Sequence, residues 1–320
     1  MDRRDFFATS AAAMATTTFA SSASAADAPS LRGPYLDLST GKGNMLLRVR
    51  IAADLDESKT KWGGTTGVVT SVRPNEKMRD LFGFEVVGVA RAAKQPDGSY
   101  RSYHREVILY TDLATGEIID EYVNPFTDER VKVVHVVNDP WNEHFEEFEP
   151  LPPSYGGLNK VEEGARKPFL MNWRDVGNGM IMAMRNIHLF YRSALQPDQW
   201  PRESSGTMSQ VSECYTYCLN LADVQNPEKT TVRNFGTWSR VTPWLPWMLM
   251  GQAPGHCQYA SISNYYPNVA SIKRPVREYM EKHFPHMLEA PPPDSWSKPN
   301  LSSIEVYAKT QKPAPAKAGS

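Results

Sequence analysis

Cysteine is scarce in this chain, with 3 residues in 320. So few exclude a disulfide-stapled scaffold, and without a second paired cluster they give little basis for a structural zinc site. An excess of charge of one sign is also missing. The 35 basic residues meet 36 acidic ones, and no basic tract could track a phosphate backbone, so no nucleic-acid partner is expected. Helix signals are few and no internal repeat stands out. No glycine-rich phosphate loop joins a strand to a helix, which disfavours a dinucleotide-binding fold. Gly-x-Ser-x-Gly and His-Glu-x-x-His are absent, which removes the α/β-hydrolases and the common zinc peptidases. Beyond the first 25 residues nothing is long and apolar enough to span a bilayer, so no integral membrane segment is expected in the mature chain.

What is present begins at the amino terminus. Arg3-Arg4 precedes Phe6-Phe7, a weakly apolar Ala/Thr run reaches Phe19, and Ala23-Ser24-Ala25 is a small-x-small cleavage site. This resembles a twin-arginine export signal. The resemblance implies a signal peptide over 1–25, the export machinery as a partner, and a periplasmic or secreted protein. It also implies folding in a reducing cytoplasm, so Cys214, Cys218 and Cys257 are expected as free thiols.

After residue 40 the pattern reads as strands. Leu47, Val49 and Ile51 alternate with Arg48 and Arg50, a period of two. Residues 67–72, 82–90, 103–110, 118–123 and 131–137 are rich in β-branched or aromatic side chains, and Asp97-Gly98 marks a hairpin. Four long runs follow, at 180–192, 207–219, 231–241 and 256–264. Pro275 opens one short C-terminal helix over 276–284, and the segment 244–250 suits a single helical turn. The fold class is therefore mainly β. A large antiparallel calycin-like β-barrel is expected over 26–308, because closure removes exposed edges. It would carry a Pro/Gly-rich loop at 149–167 and a disordered tail at 309–320. Two smaller barrels divided at that loop are the alternative.

Four phrases carry a further likeness. They are Leu81-Phe82-Gly83-Phe84, Asn124-Pro125-Phe126-Thr127, His135-Val136-Val137-Asn138-Asp139-Pro140 and Trp244-Leu245-Pro246-Trp247-Met248-Leu249-Met250-Gly251. Together they resemble the family called domain of unknown function 1838, over about residues 41–291. The resemblance implies a grouping, and it carries no mechanism and no catalytic residue.

Chemistry must then be sought on strand faces. His104 and Glu106 share one face of their strand. They are a base with its orienting acid, a pair of metal ligands, or a solvated pair. His135 is in phase with Val131, Val133 and Val137, so it points inward, either as a satisfied core histidine or as a second acid. His188 shares a face with Met182, Met184, Asn186 and Phe190, which reads as core. Glu213, Tyr215 and Tyr217 share a face, as do Trp238 and Arg240 on the next strand, so an acid can face an arginine. Trp244, Trp247 and Met248 form a wide apolar surface, as a plug or as a lid.

The expected catalytic set is His104, Glu106, His135, His188 and Tyr217. The expected ligand-binding set is Trp238, Arg240, Trp244, Trp247 and Met248. These suit an exported, cofactor-independent isomerase, cyclase or lyase acting on a small apolar organic molecule. Two alternatives stand beside it. One is a cupin-like enzyme with a divalent metal on His104, Glu106, His135 and His188. The other is a lipocalin-like ligand carrier without catalysis.

Overall fold

Thr40 starts the first regular element of the computed structural model, which describes residues 31–150 and 166–315. The expected signal peptide and most of the expected loop at 149–167 lie outside the described residues. The Thr40 hydroxyl accepts from the Gly43 N–H at 3.0 Å, the capping contact that opens helix α1, Gly41–Ala52. A strand was expected over its second half. The helix is covered on most of its faces, with Asn44, Met45, Leu47, Val49 and Arg50 all buried, so it shows no 3.6-residue apolar stripe. Buried Arg50 donates from its two terminal nitrogens to the carbonyls of Val224, Asp223 and Asn226, which offsets most of the cost of enclosing a guanidinium.

The first three strands form a meander: β1 (Lys61–Val72), β2 (Arg79–Lys94) and β3 (Tyr100–Thr111). The expected Asp97-Gly98 turn joins β2 to β3. Gly98 sits at φ 88°, a left-handed conformation that favours glycine, and Asp97 Oδ1 accepts from the Ser99 N–H at 3.0 Å. Short strands follow: β4 (Glu121–Val123), β5 (Arg130–Lys132), β6 (Val136–Asn138), β7 (Glu143–Phe145) and β8 (Arg174–Gly177). A second set of long strands comprises β9 (Met180–Arg192), β10 (Met208–Asn220), β11 (Thr237–Thr242) and β12 (His256–Tyr266). Helix α2 (Leu221–Val224) follows β10, and α3 (Arg274–His283) and α4 (Ser303–Thr310) close the chain.

Ten strands make one antiparallel sheet in the order β6-β3-β2-β1-β12-β11-β10-β9-β8, with β7 also paired to β3. The two meanders are joined by β1 and β12, in register from Trp62 opposite Tyr266 to Val72 opposite His256. Two expectations are corrected here. The sheet is not closed into a barrel, since β6 and β7 at one edge have no pairing with β8 at the other. Nor are there two barrels, because a single sheet holds strands from both sides of the 149–167 connection.

Helix α1 stands where strand pairing would have closed the sheet. Met45, Val49 and Ala53 pack on Ala90, Ala92, Tyr100 and Phe145 of the first half. Leu47 packs with Ile181, Ala183 and Leu219 of the second half. Helix α3 covers the outer face of the first meander through Val276 and Met280 against Val87, Val89, Val107 and Leu109. Helix α4 reaches Thr310, two residues into the tail expected over 309–320. It is opened by a capping box between Ser302 and Glu305, a Ser-x-x-Glu signal present in the sequence.

The expected helical turn appears as a 3₁₀ turn at Pro246–Met248. Trp244, Trp247 and Met248 are almost wholly buried there, with Trp247 against Phe82, Tyr110 and Tyr122. Each such side chain contributes about 1.5–3 kcal/mol of burial, so the segment is a core plug.

Candidate active site

The pleat of β3 turns Ser102, His104, Glu106, Ile108 and Tyr110 to the concave side. Register then decides what lies beside them. Glu106 is opposite Gly88, Gly88 is opposite Gly63, and Gly63 is opposite Tyr265. A strip without side chains therefore runs across the sheet floor next to His104 and Glu106. A Cβ on Gly88 would lie 2.8 Å from His104 Nε2, so the imidazole occupies space that only glycine leaves open.

The facing wall comes from β10 and β11. Glu213 is opposite Arg240, and Tyr215 is opposite Trp238. The Tyr215 hydroxyl donates to Glu213 Oε2 at 2.6 Å, and Arg240 Nε lies 3.6 Å from Glu213 Oε1. Although β3 and β10 are five neighbours apart in the sheet, about 24 Å if flat, the charges on Glu213 and Arg240 act on Glu106. The sheet must therefore curl to bring the two walls face to face. His104, Glu106, Glu213, Tyr215 and Arg240 are all only partly buried.

Electrostatics differentiate these groups. Burial holds the Glu106 carboxyl above the usual carboxylate range, against the opposing pull of His104 and Asn138. Asn138, opposite Glu106 on β6, donates from Nδ2 to Oε1 at 3.1 Å. Burial works against the charge on Arg240, but Glu213 and the phenols of Tyr259, Tyr191 and Tyr215 more than restore it. Arg240 Nε, Trp238 Nε1 and Thr65 Oγ1 are buried without a hydrogen-bond partner. Buried polar atoms are seldom left so, and these three lie on inward-facing positions of β11 and β1, on either side of β12. Tyr217 continues the wall, its ring stacked 6.5 Å from that of Tyr215.

The structure thus brings together His104, Glu106, Tyr217, Trp238 and Arg240 from the expected sets, and separates the others. His104 and Glu106 face inward, but their side chains share no hydrogen bond among the described residues, so Glu106 does not orient the imidazole. His135 is inside the protein but away from the hollow. Its Nδ1 accepts from the Tyr110 N–H at 3.1 Å, and it packs against Tyr110 and Tyr279, so it is a structural histidine. Burial pulls its pKa down to about 4.

His188 is corrected outright. It is exposed on the outer face, between Met184 and Phe190, which are 55% and 60% exposed, and it meets Ser212 Oγ at 3.1 Å. Both faces of β9 alternate with apolar residues, so period alone could not tell in from out. The inward one carries Ile181, Ala183 and Arg185. Trp244, Trp247 and Met248 are packed too tightly to line a ligand space. His104, Glu106, His135 and His188 do not assemble as metal ligands, and among the described residues no group of three or more His, Cys, Asp or Glu side chains is placed to hold a metal. Cys214, Cys218 and Cys257 are free, as expected. Among the described residues no helix is long and apolar enough to cross a membrane.

A family described as protein of unknown function (DUF1838) matches residues 57–311, from just before β1 through α4. The chain belongs to the DUF1838 family. The match takes in every strand, and hence His104, Glu106, Glu213 and Arg240 of this DUF1838 chain, while α1 precedes it. No curated protein matches the chain. Sequence reasoning missed Asn138 and Gly88; the only signal for Gly88 was its place in phase with the inward residues of β2. Glu213 and Tyr215 were legible as one strand face, and their convergence on Glu106 was not.

Proposed function

We propose that this protein is an acid–base enzyme, an isomerase, cyclase or lyase, acting on a small organic molecule held inside the curled sheet. One observation carries the reading: Glu106, biased to its neutral form, sits beside His104 and across from the Glu213–Arg240 pair. In this scheme the His104 imidazole, which makes no hydrogen bond among the described residues, removes a proton from substrate carbon. Glu106 delivers its proton at a second position, and the protons balance over the cycle. Arg240, whose Nε has no hydrogen-bond partner among the described residues, lies where negative charge developing between these steps would be stabilised. Tyr215 and Tyr217, both partly exposed and stacked 6.5 Å apart, offer aromatic surface to a largely apolar substrate body. Export through the twin-arginine route to the periplasm is part of the same proposal and is motivated by residues 1–25 alone.

A carrier without chemistry would have no use for a carboxyl group biased by burial toward its neutral form beside an imidazole free of hydrogen bonds. Incubation with a small-molecule extract in deuterium oxide, with new carbon–deuterium bonds read by mass spectrometry, tests the proposal. Label introduced by the wild type should fall at least ~100-fold with His104→Ala and with Glu106→Gln. Equal labelling by all three proteins would overturn it.

A further inference from the structure

Two guanidinium groups meet at the end of the hollow next to α1. Arg48 projects from α1 and lies 4.7 Å from the ring centre of Phe145 and 4.7 Å from that of Phe169. Arg185, on the inward face of β9, lies over the same Phe169 ring at 5.7 Å. The two charges oppose each other, and burial works further against Arg48. Among the described residues neither guanidinium has a hydrogen bond or an ion pair. Fully buried Arg50 nearby differs, since its terminal nitrogens donate to three carbonyls. Glu143 and Glu149 act on Arg48 only through space.

Tyr217 points to the same place, because both arginines act on its hydroxyl, which has no hydrogen-bond partner among the described residues. Lys61 shares the inward face but is turned to the carbonyls of Arg50, Ile51 and Val232. Glu106, Glu143 and Glu213 face Arg48, Arg185 and Arg240, and Glu149 also acts on Arg48, so the charges are matched through space while the donors of Arg48 and Arg185 have no acceptor among the described residues. Paired guanidinium groups with unused donors suit an anionic acceptor. The aromatic faces hold the guanidinium planes without neutralising them.

We propose that Arg48, Arg185 and the Tyr217 hydroxyl bind the anionic group, a carboxylate or a phosphate, of a small molecule whose other end reaches His104 and Glu106. The identity of the reacting end rests on the acid–base reading above, whereas the anion site stands without it. The substrate class is thereby an organic acid or phosphate ester with an apolar or aromatic body. Sequence reading alone could not reach this, because Arg48 looked like one face of a strand.

Benzoate and inorganic phosphate, titrated separately into the full chain, provide the test. The readouts are tryptophan fluorescence, with Trp173 6.5 Å from the Tyr217 ring, and the melting temperature. At least one anion should bind saturably. Arg48→Met and Arg185→Met should each weaken that binding about tenfold or more, and Arg233→Met, on an exposed arginine, should leave it unchanged. Tighter phosphate binding assigns a phosphate ester, and tighter benzoate binding a carboxylic acid. Should Arg48→Met fail to fold, Arg48→Lys and Arg185→Met carry the test, since a lysine cannot reproduce the planar fork. His104→Ala and Glu106→Gln should leave anion affinity within about twofold, so failure of the catalytic scheme would not be mistaken for failure of this site. No saturable binding of either anion to the wild type, or wild-type binding by Arg185→Met, would refute the proposal.

Discussion

Glu106 and Arg240 stand four strands apart in the order of the sheet, yet the carboxyl group of one feels the guanidinium charge of the other. In a flat sheet the strands would be about 19 Å apart, beyond the ~8 Å over which salt water screens charge. Curling of the sheet around α1 shortens that path and takes it through protein. The candidate site is a product of curvature, and the predictions below probe its parts.

Gly88→Ala would place a methyl group 2.8 Å from His104 Nε2. The backbone there is not left-handed, so stability should change by no more than about 1 kcal/mol. The imidazole must move, and deuterium labelling of substrate should fall at least ~10-fold. An unchanged melting curve with undiminished labelling would show that the His104 position does not matter.

Glu106 fixes a sign for pH dependence. Its folded-state pKa lies above that of an unfolded glutamate, so its contribution to stability is present in full below about 4.3. That contribution is lost as pH rises through the elevated value. Glu106→Gln keeps the shape and removes the titration. Denaturant unfolding between about pH 4 and about pH 8 should show a shallower decline for the variant. Parallel curves would contradict the neutral assignment.

His135 has the opposite sign. Its pKa is pulled down to about 4, against about 6.5 when unfolded. The stability it contributes is present above about 6.5 and is lost as pH falls through about 4. His135→Phe keeps a ring against Tyr110 and Tyr279 but removes the acceptor of the Tyr110 N–H. It should cost about 1–3 kcal/mol at neutral pH and abolish this acid limb, while leaving anion binding intact.

Arg240 and Glu213 form a coupled pair with little solvent access, their side chains 20% and 14% exposed. Removing one partner of such a pair costs ~3–5 kcal/mol when burial is complete. With residual exposure and a 3.6 Å separation, Arg240→Met should fall at or below the lower end of that range. The double variant with Glu213→Gln should be more stable than the sum of the single changes predicts, by at least ~1 kcal/mol. Simple additivity of the chemical unfolding energies would exclude the coupling.

The long strands were legible because β-branched and aromatic residues at period two leave few other options. Strand β9 begins at Met180 and ends at Arg192, the limits read from its pattern. Strand β11 was overextended. Val232 is held beside α1 by the Arg50 carbonyl, a tertiary contact with no local signature. Helix α1 was misread because its burial on most sides erased the stripe that marks a helix. His104 and Glu106 were correctly placed on one face. The metal set failed because it joined histidines that share a residue type but no space.

Sequence alone determined which stretches pair as strands, which turns join them, and which side chains share a face, because these follow from local sterics and a period of two residues. It also determined the family. The pairing of β1 with β12, the curl around α1 and the choice of inward face on β9 were decided only in the folded chain. Each depends on burying the two apolar sides of α1 between halves of the sheet far apart in sequence. That same packing sets Glu106 against Arg240, and leaves Arg48 and Arg185 to share one ring.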